Sequence, residues 1–264
     1  MKKSLVFALS LLFALSACIE KPVPPEPVDD DPPTQKQEPE DPPVIDPEVP
    51  KVKDVTLMEE FSEEFSSVIS QFFDFEPKSS GDDFRYYSGF PSLSESGNTI
   101  LMLRLDEAEK AVIRSKEFTY YGSYSARIRI PDISSVQPKV GASVDFALYD
   151  NDEEFGEDEI LLSLHLSEQS SVHVDGQAVT PDISGFNAAT KYYIYGIDWE
   201  KESITWWVKT KVSGDKVVLA TLNEDVPDQP LRLELRFGAL SYGAAPLYPY
   251  ELETDWIKYT PSEQ

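Results

Sequence analysis

The sequence predicts an all-β protein, a single antiparallel β-sandwich carried behind an extended, disordered tether. Three observations lead there. From residue 99 onward the chain runs as short segments that alternate apolar and polar residues, separated by Gly, Pro, Asn, Asp or Ser. Helical periodicity is almost absent from that region. About 210 residues follow the tether, a size at which β-sandwiches commonly form one domain.

The elements follow in chain order. Residues 1–17 read as a signal peptide. Lys2 and Lys3 precede an apolar run, Leu5 to Leu15, too short to span a bilayer as a helix. Leu15-Ser16-Ala17-Cys18 resembles a bacterial lipoprotein box, which implies cleavage before Cys18 and a lipid on that cysteine. Ile19 follows it rather than aspartate, so the expected address is the outer membrane, on either its periplasmic face or the cell surface. Residues 18–54 are the tether. Eleven of the chain's 21 prolines lie between 19 and 54, interspersed with acids such as Asp29-Asp30-Asp31. Such a segment favours extended polyproline II and reaches up to about 100 Å.

The domain, 55–264, holds 37 acidic and 17 basic residues of a chain with net charge −25. That field repels nucleic acid and anionic headgroups, leaving the lipid as the only expected membrane contact. It suits neutral or cationic ligands, or a divalent metal. Cys18 is the only cysteine, so no disulfide forms within the domain.

Phe61 to Phe75 carries seven apolar residues whose spacing fits either a short helix or an irregular entry packed on a sheet. Strands are then expected at 99–105, 111–115, 124–130, 140–149, 159–166, 171–174, 191–199, 203–209, 217–222, 231–237 and 253–260. Asp175-Gly176 marks a tight turn. The expected core comprises Ile128, Ile130, Val144, Phe146, Ile160, Leu162, Leu164, Ile194, Ile197, Trp199, Ile204, Trp206, Leu233, Leu235 and Trp256. The central strand is the sharpest: Ile160, Leu162, Leu164 and Leu166 fall on one face, Glu159, Leu161, Ser163 and His165 on the other.

Four stretches give the chain a family likeness: Ile113-Arg114-Ser115 with Tyr120 to Arg127; Tyr195-Gly196-Ile197-Asp198-Trp199-Glu200 with Ile204 to Val208; Leu233 to Gly238; and Pro246-Leu247-Tyr248 with Asp255 to Thr260. In this order they resemble glycoside hydrolase family 16, the lichenase and laminarinase group. The resemblance implies a concanavalin A-like jelly roll and double-displacement hydrolysis of β-glycans through E-x-D-x-E on one cleft strand. That chemistry needs two carboxyl groups about 5–5.5 Å apart.

Set on this pattern, Glu159 falls at the nucleophile, Leu161 at the central Asp and Ser163 at the acid/base. Half of the pair is missing. A serine hydroxyl is no general acid near neutral pH, and slipping the register by one would turn the leucine face outward. The resemblance further implies sugar contacts from Arg114, His173, Asp175, Ser163 and Phe237, the last standing where the family has a platform tryptophan. No cofactor is required. Gly97 and Asp255 match positions that hold a structural calcium in the lichenase branch.

Other sites carry competing readings. His165 lies six strand residues from Glu159, about 20 Å, too far for both to work on one bond. The acidic stretch Asp150 to Asp158 reads as a solvated loop; the alternatives are a calcium-binding loop, though without EF-hand spacing, and the supplier of a replacement acid. Tyr120, Tyr121, Trp206, Trp207 and Tyr242 are the candidate stacking rings, some of which the core must claim. The expectation is therefore an envelope-anchored protein that binds or scaffolds a β-glycan, with residual hydrolysis from Glu159 as the alternative.

Overall fold

The alternation of apolar and polar residues produces two facing antiparallel sheets with the core between them. The computed structural model describes residues 51–66, 70–76, 84–87, 100–105, 110–136, 140–166, 170–240 and 249–263. In chain order the strands are β1 (Phe61–Glu63), β2 (Phe73–Glu76), β3 (Phe84–Tyr87), β4 (Ile100–Leu105), β5 (Lys110–Ser115), β6 (Gly122–Arg129), β7 (Ala142–Asp152) and β8 (Gly156–Leu166). There follow β9 (Ser171–Val174), β10 (Gln177–Val179), β11 (Tyr193–Glu200), β12 (Ser203–Lys209), β13 (Val217–Leu222), β14 (Arg232–Ala239) and β15 (Tyr250–Pro261). No helix occurs among the described residues. One sheet runs β13-β12-β11-β6-β15-β4-β3, with β1 also paired to β15; the other runs β10-β9-β8-β7-β14-β5-β2.

Every expected strand forms, with ends shifted by a few residues. Phe61 to Phe75 resolves into β1 and β2 rather than a helix. Phe61 stacks on Phe72 and meets Phe73 edge-on, which explains why the apolar spacing was dense without being helical. The short β3 and β10 carry no alternation long enough to read. β10 exists because Asp175 and Gly176 both adopt positive φ (46° and 72°) and fold it back on β9.

The acidic stretch is mostly strand, not loop. β7 and β8 pair throughout, from Ala142↔Leu166 to Asp152↔Gly156. The like charges are tolerated because two lysines arrive from upstream. Lys53, its side chain 9% exposed, donates to Asp150 and lies 3.1 Å from Asp152, between the rings of Phe118 and Phe155. Lys51 pairs with Glu154, and Gln229 bonds the backbone at both Lys51 and Lys53. These two lysines, which composition assigns to the tether, are bonded to the domain.

All fifteen expected core residues are buried. Ile194 and Trp256, however, join Trp207 in a small cluster separate from the main core. Trp207 packs directly over Gly196: a Cβ there would fall 2.1 Å from Trp207 Cζ2. Lys209 and Lys216 lie over the same indole. Gly196→Ala should therefore displace Trp207 at a cost of about 1–3 kcal/mol. For a domain of this size that lowers Tm by several degrees, at about 2–4 °C per kcal/mol. A melt unchanged in circular dichroism would show that Trp207 does not depend on the missing Cβ.

Candidate functional site

Burying Ile160, Leu162, Leu164 and Leu166 turns the other side of β8 outward, and cross-strand pairing decides what stands beside each residue there. Ser163 sits between Asp145 of β7 and His173 of β9, Leu161 opposite Ala147, and Glu159 opposite Tyr149. Beyond β7, β14 brings Glu234 opposite Ala147 and Arg236 opposite Asp145; β5 then adds Arg114 opposite Glu234. Along β14 the outward positions Arg232, Glu234 and Arg236 are all charged, and Arg114, Asp145 and Glu159 add charges from the neighbouring strands to make one lattice.

Its centre is a chain of four charges. Arg236 donates from Nη1 to Glu159 Oε1 at 2.8 Å and from Nε to Glu234 Oε2 at 2.5 Å. Glu234, only 2% exposed, accepts from Arg114 as well. The Arg236 guanidinium also lies over the Tyr149 ring, 4.9 Å from its centre. Burial works against the charge on Arg236, but Glu234 and then Glu159 outweigh it and raise its pKa above the ordinary arginine value. Its Nη2 remains buried without a hydrogen-bond partner.

Ser163 is buried and donates to Asp145 Oδ1 at 2.7 Å. Next to it, the His165 and His173 rings stack at 3.8 Å. Burial, and then His173, hold the His165 pKa below the usual histidine range, while Asp145 pulls the other way. His173 accepts or donates through Nε2 to Ser171 at 2.9 Å, and its Nδ1 is buried without a partner.

The structure brings Glu159, Ser163, Arg114 and His173 onto one face, and Asp175 to its margin. A cavity of about 420 Å³ opens at the Glu159 end, lined by Glu159, Leu161 and Asp175 on one side and by Ile204, Trp206 and Asp225 on the other. Trp206 is 3% exposed and its Nε1 has no hydrogen-bond partner. Asp158 faces away from Glu159, opposite Asp150, and burial followed by Asp228 raises its pKa.

One expected contact is corrected. Phe237 is fully buried in the main core, so its ring presents no platform to a ligand; as the residue after Arg236, it points inward. Asp255, 1% exposed, accepts from Arg127 Nη1 at 2.6 Å. Gly97, Tyr242 and Cys18 lie outside the described residues. Of the remaining rings, Trp206 faces the core and Trp207 lies under Lys209 and Lys216. Arg236, Glu234 and Asp145 were missed. The alternation of β14 and β7 already placed all three on the polar side, but no family motif drew attention to them.

Comparison with known proteins gives this geometry its context. The chain is 30% identical over 87 residues to a beta-glucanase of Brevibacillus brevis, a match taking in 29% of this chain and 30% of that protein. The fold is shared with the Bacillus licheniformis beta-glucanase (TM-score 0.53, 18% identity, 78% of this chain and 100% of that one). It is also shared with the catalytic domain of an endo-1,3-beta-glucanase (laminarinase) from Thermotoga petrophila (TM-score 0.52, 17% identity, 80% and 100%). The family model for glycosyl hydrolases family 16 matches residues 80–258, most of the chain, and on that match, with the two-sheet sandwich around it, the protein belongs to family 16.

Proposed function

We propose that this protein binds or scaffolds a β-glycan at the cell envelope without hydrolysing it. The observation that carries the reading is the state of Glu159. A retaining nucleophile must be free to attack while a neighbouring carboxylic acid protonates the leaving oxygen. Here Glu159 is tied to Arg236, itself anchored by the buried Glu234, and the acid's position holds a serine that donates its own proton to Asp145. Leu161 stands where a carboxylate would tune the pair. What the face offers instead is hydrogen bonding. The carboxylates of Glu159 and Asp175 line the cavity at its end as acceptors, while Arg114 and Arg236 stand on the same face as donors, an arrangement suited to sugar hydroxyls. Attachment through a lipid on Cys18 is the proposed route to the envelope.

Binding is checked by calorimetry against a panel of β-glucans and galactans. At least one should bind, and reducing ends should not be released from laminarin or lichenan. If sugar is released and Glu159→Gln abolishes that release, the reading fails in favour of a residual glycanase.

Rebuilding the family pair should be unequal at the two positions. Leu161→Asp, at a half-buried site bordering the cavity, should change the melt little. Ser163→Glu would bury a second carboxylate beside Asp145 and should cost several kcal/mol. A thermal melt of each single variant checks this, and equal melts would mean the strand's outer face is open at both positions.

Cys18→Ala should release the protein from the membrane fraction. A variant that still sediments with envelopes would place the anchor elsewhere.

A further inference from the structure

A second cavity, of about 900 Å³, is built by elements that contribute nothing to the Glu159 face. It lies where the segment before β1, the start of β6, the β11–β12 turn and the end of β15 converge. Its apolar wall is aromatic. Tyr120 and Tyr121 stack at 4.0 Å, and both stand edge-on to the buried Trp199, at 5.5 and 5.1 Å. Tyr259 and Met58 complete that wall. Tyr120 is fixed in place by its hydroxyl, which donates to the Asp228 carbonyl at 2.7 Å.

The rim has the opposite character. Glu59, Glu200, Glu202 and Glu263 line it against a single lysine, Lys201. None of these carboxylates is salt-bridged among the described residues. Some acids elsewhere in the domain are paired: Lys53 serves Asp150 and Asp152, Lys216 serves Asp198, and Arg236 serves Glu234 and Glu159. Tyrosine rings attract cations over their faces, and uncompensated carboxylates around such rings add attraction while disfavouring anions. A neutral sugar gains nothing from the rim's net charge; an organic cation gains from both wall and rim.

We infer that this cavity is a binding site for an organic ammonium group, primary or quaternary, separate from the glycan face. Its charge and ring geometry select the ligand, with the ammonium against Tyr120 and Tyr121 and the carboxylates closing around it.

The probe is choline, titrated into the full chain by calorimetry and followed by NMR shifts. A neutral isostere, in which a tert-butyl group replaces the trimethylammonium, serves as the control. Choline should bind with Kd of about 1 mM or tighter. The isostere should bind at least tenfold more weakly, and raising salt should weaken choline alone. Tyr121 also packs on Trp199, so its removal endangers the fold. The exposed pair Glu200→Gln with Glu202→Gln therefore carries the test, with an expected tenfold loss of choline affinity and an unchanged melt. Prior saturation with a bound β-glycan should leave choline affinity unaltered. The inference is overturned if choline and its isostere bind equally, if neither binds, or if the double variant binds choline as well as the native chain.

Discussion

The burial of Ile160, Leu162, Leu164 and Leu166 between the sheets sets the register of β8, and much else depends on that register. A strand repeats every two residues, so once four large side chains are committed inward, the outward set is fixed in identity and order. Pairing with β7 and β9 then decides which groups flank each outward residue, and β14 and β5 extend the same lattice. Ser163 meets Asp145 because Leu162 and Leu164 meet the core. The chemistry of the face is therefore a consequence of packing on the reverse of the same strands.

Within that lattice Arg236 occupies the pivotal place. A guanidinium between two carboxylates, over a tyrosine ring, compensates the cost of burying Glu234 and draws Glu159 into the same network. The arrangement serves stability and ligand hydrogen bonding together, whereas a nucleophile needs its carboxylate held near a proton donor rather than neutralised by a cation. The second cavity follows a different logic, four carboxylates and a single lysine standing at the rim of an aromatic wall.

Much of the fold was legible because period-two alternation is a local signal: strands from Ile100 to Thr260 can be read residue by residue. What escaped notice depended on distant partners. The acidic β7–β8 hairpin looked like a loop because like charges repel; the lysines that reconcile them come from 97 and 103 residues upstream. Phe237 looked like a platform because a motif aligned it with an aromatic, although its own strand's alternation sends it inward. Glu159, Leu161 and Ser163 were legible in place, since the alternation of their strand alone put all three on one face. The tie between Glu159 and Arg236 was not, because it joins β8 to β14 across the intervening β7.

The pairing of the first strand with the last has a kinetic consequence. β15 lies between β6 on one side and β4 and β1 on the other, with Phe61 opposite Tyr259. A nascent chain that has not yet released Tyr250–Pro261 leaves β4, β6 and β1 each with an unpaired edge, and Phe61 without Tyr259 against its ring. Contacts of such sequence separation form late because their loop-closure entropy must be met before they reward the chain. The sheet is thus completed by its final segment, and until that segment arrives the open edges are the surfaces most exposed to aberrant strand addition.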